Sequence, residues 1–212
     1  MYKFLNNFGS AYGGLQIFKR AMDAARKVIN IEDDYAKLLL QGKAYDNLSM
    51  FKEAIKSYKR AVKIDPYNGE AHCRLGNAYS RSGMFKESVE AYKQAVRIAP
   101  DDAVAYYSLG CAYSRMGNYQ AAVATTKRAI QIRPAMSDAH KNLGIFFSKL
   151  GMYNEAMKSL SQAIKLEPGN ANAHYNLALL CLGIHDRSSA LKEYDILKNI
   201  SPVVADKLSK ML

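Results

Sequence analysis

The chain has 212 residues, a net charge of +11 and apolar residues at 49% of its length, which is enough to build a sizeable core. No run of about 18 apolar residues occurs, which excludes a membrane-spanning helix, and three cysteines do not make a disulfide framework. The positive charge favours acidic partners, anionic surfaces or nucleic acid through long-range attraction and does not bear on fold.

The opening stretch MYKFLNNFGSAYGG lacks the basic-then-apolar order of a signal peptide. The chain is therefore expected in the cytoplasm, with a peripheral position at a membrane surface as the alternative. From residue 35 onward the sequence repeats every 34 residues, and all five prolines obey that step: Pro66, Pro100, Pro134, Pro168 and Pro202. Proline has no N–H and clashes with the preceding helical turn, so prolines in register mark helix ends at one place in every unit.

Residues 1–34 align with the first full unit at a shift of 33, which sets Leu5, Phe8, Gly9 and Tyr12 against Leu38, Gln41, Gly42 and Tyr45. This predicts a degenerate repeat that caps the first full unit and covers Leu39 and Leu40; an independent amphipathic arm is the alternative. Full units run over 35–68, 69–102, 103–136, 137–170 and 171–204. Gly42, Gly76, Gly110 and Gly144 share one column, with Ala178 in the fifth unit, and three residues later come Tyr45, Tyr79, Tyr113, Phe147 and Cys181. A second small-residue column holds Ala54, Ser88, Ala122, Ala156 and Ala190. A third holds Ala61, Ala95, Ala129 and Ala163, then Leu197.

Apolar residues at helical spacing flank a glycine turn at Gly83, Gly117 and Gly151, which predicts two amphipathic helices per unit. The fifth turn, Gly183-Ile184-His185-Asp186, departs from the pattern and is expected to be irregular. Small side chains in register mark helix crossings. Such a hairpin cannot bury its apolar face alone and must stack on copies of itself. Residues 205–212 are expected to form a short capping helix.

No constellation of catalytic residues is present: there is no glycine-rich phosphate loop, HExxH, CxxC or nucleophile elbow. The reading is of a non-enzymatic protein with no catalytic residue, metal or cofactor. His72, His140 and His174 share a column with Tyr106. Stacked units hold them about 10 Å apart, too far to meet at a zinc ion with ligands at about 2 Å, so they are expected to pack. Asp33-Asp34 and Asp101-Asp102 fall at helix starts, where carboxylates cap free N–H groups. Cys73 and Cys111 are read as small residues of a reduced protein, and Lys52, Lys56, Lys59 and Arg60 as the outer face of a second helix.

The columns resemble the tetratricopeptide repeat (TPR) family, whose small–aromatic–small–aromatic–small–proline pattern is met by Gly76, Tyr79, Ser88, Tyr92, Ala95 and Pro100. Gln41 departs at the position before the first glycine, and Thr126 and Leu160 stand where an aromatic is usual. The resemblance implies an all-α fold, a right-handed superhelical solenoid of helix-turn-helix repeats, whose first helices line a concave groove. It further implies that positions two, five, six, nine, twelve and thirteen of each unit face that groove. In this sequence they supply six basic residues against three acidic ones.

The residues expected to bind a partner there are Lys43, Arg74, Asn77, Arg81, Tyr107, Arg115, Lys141, Asn142, Lys149, Tyr175 and Asn176. Arg and Tyr are frequent anchors at interfaces, and an asparagine amide both donates and accepts. Arg81 and Arg115 are expected to be solvated. Family members that clamp a terminal carboxylate use a lysine–asparagine set that Lys141 and Asn176 meet only in part, with Ile145 at a third position; a chaperone-tail clamp is not expected.

The expected function is a protein-interaction scaffold that binds an extended acidic peptide. The alternative is a self-associating scaffold, since the odd N-terminal unit and short C-terminal cap would stack head to tail. The stretch AMDAARKVINIEDD also resembles magnetosome-associated TPR scaffolds. Nucleic-acid binding is the weakest reading, because no aromatic-plus-basic platform on a recognised fold accompanies the charge.

Overall fold

A computed structural model describes residues 34–212. The segment read as an N-terminal cap lies outside that range apart from residue 34. Regular structure among the described residues is helical. Helix α1 is described over residues 34–47. It is followed by α2 (Phe51–Ile64), α3 (Gly69–Arg81), α4 (Phe85–Ile98), α5 (Ala103–Arg115) and α6 (Tyr119–Ile132). Then come α7 (Ser137–Lys149), α8 (Tyr153–Leu166), α9 (Ala171–Gly183), α10 (Arg187–Ile200) and α11 (Pro202–Ser209).

Odd-numbered helices through α9 open each repeat and even-numbered ones close it. Their amphipathicity is what the periodicity demands. In α4 the buried residues are Ser88, Val89, Ala91, Tyr92 and Ala95, one stripe along the helix. Three first helices begin on side-chain caps: Asn68 accepts from the Ala71 N–H, Asp102 from Val104 and Ala105, and Asn170 from Ala173, whereas α7 starts after Met136 without one. Each repeat's proline comes directly after the residue that ends the second helix, as at Asp65-Pro66 and Ala99-Pro100. Pro202 does more, since it occupies the first turn of α11, where its missing N–H costs nothing. The last helix thus starts three residues ahead of its expected position, and its Ala205 and Leu208 are buried.

The turn within each hairpin has one geometry in all five repeats. The fifteenth residue lies in the left-handed region: Ser49 (φ 59°), Gly83 (80°), Gly117 (75°), Gly151 (74°) and His185 (64°). The next residue donates its N–H to the carbonyl five back, as from Met84 to Tyr79 at 2.9 Å and from Asp186 to Cys181 at 2.8 Å. This is the bond of a Schellman helix end. The fifth turn is therefore regular, contrary to the sequence expectation; His185 simply adopts the conformation that glycine supplies elsewhere.

Within a repeat the helices cross on the small columns. Ala54, Ser88, Ala122, Ala156 and Ala190 are all fully buried. A Cβ added to Gly76 would sit 2.8 Å from the Tyr92 ring, and one on Gly144 would sit 2.6 Å from Cγ of Leu160. Ser88 Oγ donates to the Gly76 carbonyl at 2.9 Å, which ties the crossing. The histidine column anchors first helices to the preceding loop: Nε2 of His72, His140 and His174 lies 3.0, 2.9 and 2.9 Å from the carbonyls of Pro66, Pro134 and Pro168.

Successive first helices touch one another (α3 with α5, α5 with α7, α7 with α9), while second helices have no comparable mutual contact. The array therefore curves with its first helices inside. Lys52, Lys56, Lys59 and Arg60 stand exposed on α2. Leu38 is buried and Leu40 is 68% exposed; the segment expected to cover Leu40 lies outside the described residues.

Replacing Gly76 with Ala should lower stability by about 1–3 kcal/mol in urea denaturation, the usual cost of overpacking a tight crossing; an unchanged midpoint would show slack there. His185→Gly should raise stability by about 0.5–1 kcal/mol, the left-handed penalty less glycine's extra chain entropy. Thermal denaturation with no gain would mean that the fifth turn is unstrained.

Candidate functional site

The concave face is built from α1, α3, α5, α7 and α9, and the side chains there divide into those tied to neighbours and those left facing solvent. Arg81 is tied. Its Nη1 donates to Asp46 Oδ1 at 2.9 Å and to the Asp46 carbonyl at 3.2 Å, across the first repeat boundary. Its guanidinium also lies 4.7 Å from the centroid of the Phe51 ring. Arg81 is exposed, as expected, but it is not free: it fastens one repeat to the next. Serines stand at the Asp46 position of the next repeats (Ser80, Ser114, Ser148). Among the described residues neither Arg115 nor Lys149 has an ion-pair partner.

Other predicted residues are held within their own helix. Arg74 pairs with Glu70 and Lys141 with Asp138. Asn176 Nδ2 donates to the Asn172 carbonyl at 2.7 Å, which leaves its Oδ1 for a partner. Lys43 is exposed on α1. Two predicted residues meet: Asn142 Nδ2 donates to the Tyr107 hydroxyl at 2.9 Å and to Cys111 Sγ at 3.4 Å, joining α5 to α7. Asn77 Oδ1 accepts from the Tyr92 hydroxyl at 2.6 Å. Tyr175 turns towards α11, its hydroxyl 3.9 Å from Met211 Sδ.

The thiols are not set up as nucleophiles. Burial, then Asp102 and Glu70, pushes Cys73 up to about 12. Burial likewise raises Cys111 and Cys181. A reactive cysteine needs the opposite, a stabilised thiolate. Burial also raises the phenols of Tyr92 and Tyr107, so both stay neutral hydrogen-bonding groups. Among the described residues no group of three or more His, Cys, Asp or Glu side chains is placed to hold a metal ion. No described helix is long and apolar enough to cross a membrane.

Sequence reasoning did not find a cavity of about 160 Å³ between α7, α8 and α9, lined by Ile145, Ser148, Lys149, Leu160, Asn176, Leu179 and Leu180. Two of the larger recesses, of about 480 and 540 Å³, are open troughs lined largely by second-helix side chains such as Lys86, Gln94, Lys158 and Gln162. Their size reflects exposure to solvent more than enclosure.

A tetratricopeptide-repeat family model matches residues 67–135, and a second TPR repeat model matches residues 42–83 and 147–182. No curated protein matches at the sequence level. Among solved structures, the chain is similar to a MamA protein at 27% identity, with 84% of this chain and 96% of that one covered and a TM-score of 0.73. The MamA fragment from Desulfovibrio magneticus RS-1 superposes with a TM-score of 0.75 at 16% identity over 80% of this chain and 96% of that one. YrrB, described as a TPR protein with an unusual peptide-binding site, superposes with a TM-score of 0.71 at 22% identity over 87% and 97%. Columns, helix hairpins, stacking and family models agree: the chain belongs to the tetratricopeptide-repeat family.

Proposed function

We propose that this protein is an interaction scaffold whose concave face binds an extended acidic peptide. The supporting observation is the pair of cations at position thirteen of successive repeats, Arg115 and Lys149, which lack an ion-pair partner among the described residues. Cations so placed favour carboxylates and steer their approach. The Asn176 amide oxygen, left open near Lys149, suits a peptide N–H. The structural likeness to YrrB, a peptide-binding TPR protein by description, is consistent with this use of the fold.

Affinity capture with the intact chain, followed by titration of the recovered partner, tests this. Arg115→Glu with Lys149→Glu should weaken binding at least about tenfold. Folding should change little, since surface substitutions of this kind usually shift stability by about 0.5 kcal/mol or less. Unchanged affinity for the recovered partner would remove the concave groove as its site.

A second reading has its own observation. Leu191, Ile196 and Ile200 on α10, Val203 on α11 and Met211 just after it are exposed, Val203 at 71%. Apolar residues on the last hairpin and its cap suit stacking of one chain's end on another. Light scattering should then show mass rising with concentration, and Val203→Glu should suppress the rise. A single mass at every concentration would dismiss it.

A further inference from the structure

In the second repeat Tyr92 reaches through the helix pair, and its hydroxyl meets Asn77 at position nine, on the groove floor. The fourth repeat differs at both places. Leu160 stands at the tyrosine position and Ile145 at the asparagine position. A leucine stops short of where the hydroxyphenyl ring would reach, and the shortfall is open: the cavity of about 160 Å³ lies there, with Ile145 and Leu160 both in its wall. Leu179 and Leu180 complete the apolar lining, and Ser148, Lys149 and Asn176 bring polar groups to it. The loss of the tyrosine and the aliphatic residue at position nine, a position that varies from unit to unit, together shape one feature.

We infer that this cavity takes a single branched aliphatic side chain, Leu, Ile or Val, from an extended peptide that carries Asp or Glu beside it. The inference rests on the peptide-groove reading above and specifies the ligand. Size argues for one side chain: an enclosed space of about 150 Å³ holds a benzene-sized group, and here part of the volume at the mouth must hold the ligand's Cβ and backbone. The wall is apolar at Ile145, Leu160, Leu179 and Leu180 and polar at Ser148, Lys149 and Asn176, so an aliphatic side chain seats against the first group while the peptide backbone meets the second. Lys149 at the edge supplies the charge that a neighbouring carboxylate meets, and Asn176 offers an acceptor for the ligand's backbone.

The test is selection of random dodecapeptides displayed on phage against the intact chain, with three variants beside it. The intact chain should enrich peptides that hold Leu, Ile or Val at one fixed position next to Asp or Glu. Leu160→Tyr introduces the residue that three sister repeats carry, at Tyr58, Tyr92 and Tyr194, and should close the cavity. It should lower affinity for an enriched peptide about tenfold to a hundredfold, the usual worth of an aliphatic group in a fitted pocket, while acidic preference persists. Ile145→Ala enlarges the cavity and should move the fixed position towards Phe or Met, which keeps the idea testable if Leu160→Tyr folds poorly. Lys149→Glu should abolish the acidic preference and keep the aliphatic one.

Enriched peptides that are acidic without a fixed aliphatic position would overturn the pocket and leave the groove reading standing. So would an Ile145→Ala profile identical to that of the intact chain. No enrichment, or enrichment indifferent to Lys149→Glu, would overturn both.

Discussion

Four of the five repeats depend on two helices crossing closely enough for a glycine backbone to meet a side chain. At Gly76 the ring of Tyr92 occupies the space that any Cβ would need, and at Gly144 the side chain of Leu160 does the same. Close crossing sets the tilt within a hairpin, and repetition of that tilt turns a row of hairpins into a curved array. Curvature in turn decides which side chains converge. First helices touch their successors, so their exposed positions face one concave strip while second helices fan outward. The groove is thus a consequence of missing side chains some distance beneath it.

Much of this was legible in the primary structure because the repeat reads each position five times. A proline after each second helix, a small residue at each crossing and a side-chain cap at the start of α3, α5 and α9 are local requirements. Asn68, Asp102 and Asn170 meet the last of these by bonding to N–H groups two or three residues away. Slots that obey local rules are readable from local sequence. The fifth turn shows the limit of reading residues for conformations. His185 looked like a break because it is not glycine, yet its backbone has the same left-handed φ as its counterparts, and the hydrogen bond from Asp186 to Cys181 enforces it.

What the sequence concealed lies between repeats. Arg81 is an exposed groove cation whose partner, Asp46, lies 35 residues earlier. Tyr107 and Asn142 were each read as ligand contacts, whereas they contact each other over the same distance in sequence. These pairs have no periodic signature, since the partner residue changes from repeat to repeat: Asp46 is succeeded in its column by Ser80, Ser114 and Ser148. The cavity beside Lys149 was hidden for a related reason. Leu160 and Ile145 each registered as a departure, and only their contact in space makes the two departures one hole.

The left-handed turns carry a side chain in two repeats, the first and the last, at Ser49 and His185. A residue with a Cβ in that conformation costs about 1–2 kcal/mol, and opening the hairpin returns it. The last hairpin therefore opens more readily than the glycine-turned ones at the centre, so local stability falls towards that end. The cavity spans the seam between α7 and α9, one side on the firm interior and the other on the softer hairpin. A peptide seated across that seam holds the hairpin shut. Affinity and end-fraying then become two sides of one equilibrium: whatever loosens α9 and α10 weakens the ligand, and the ligand slows amide exchange in residues 171–200.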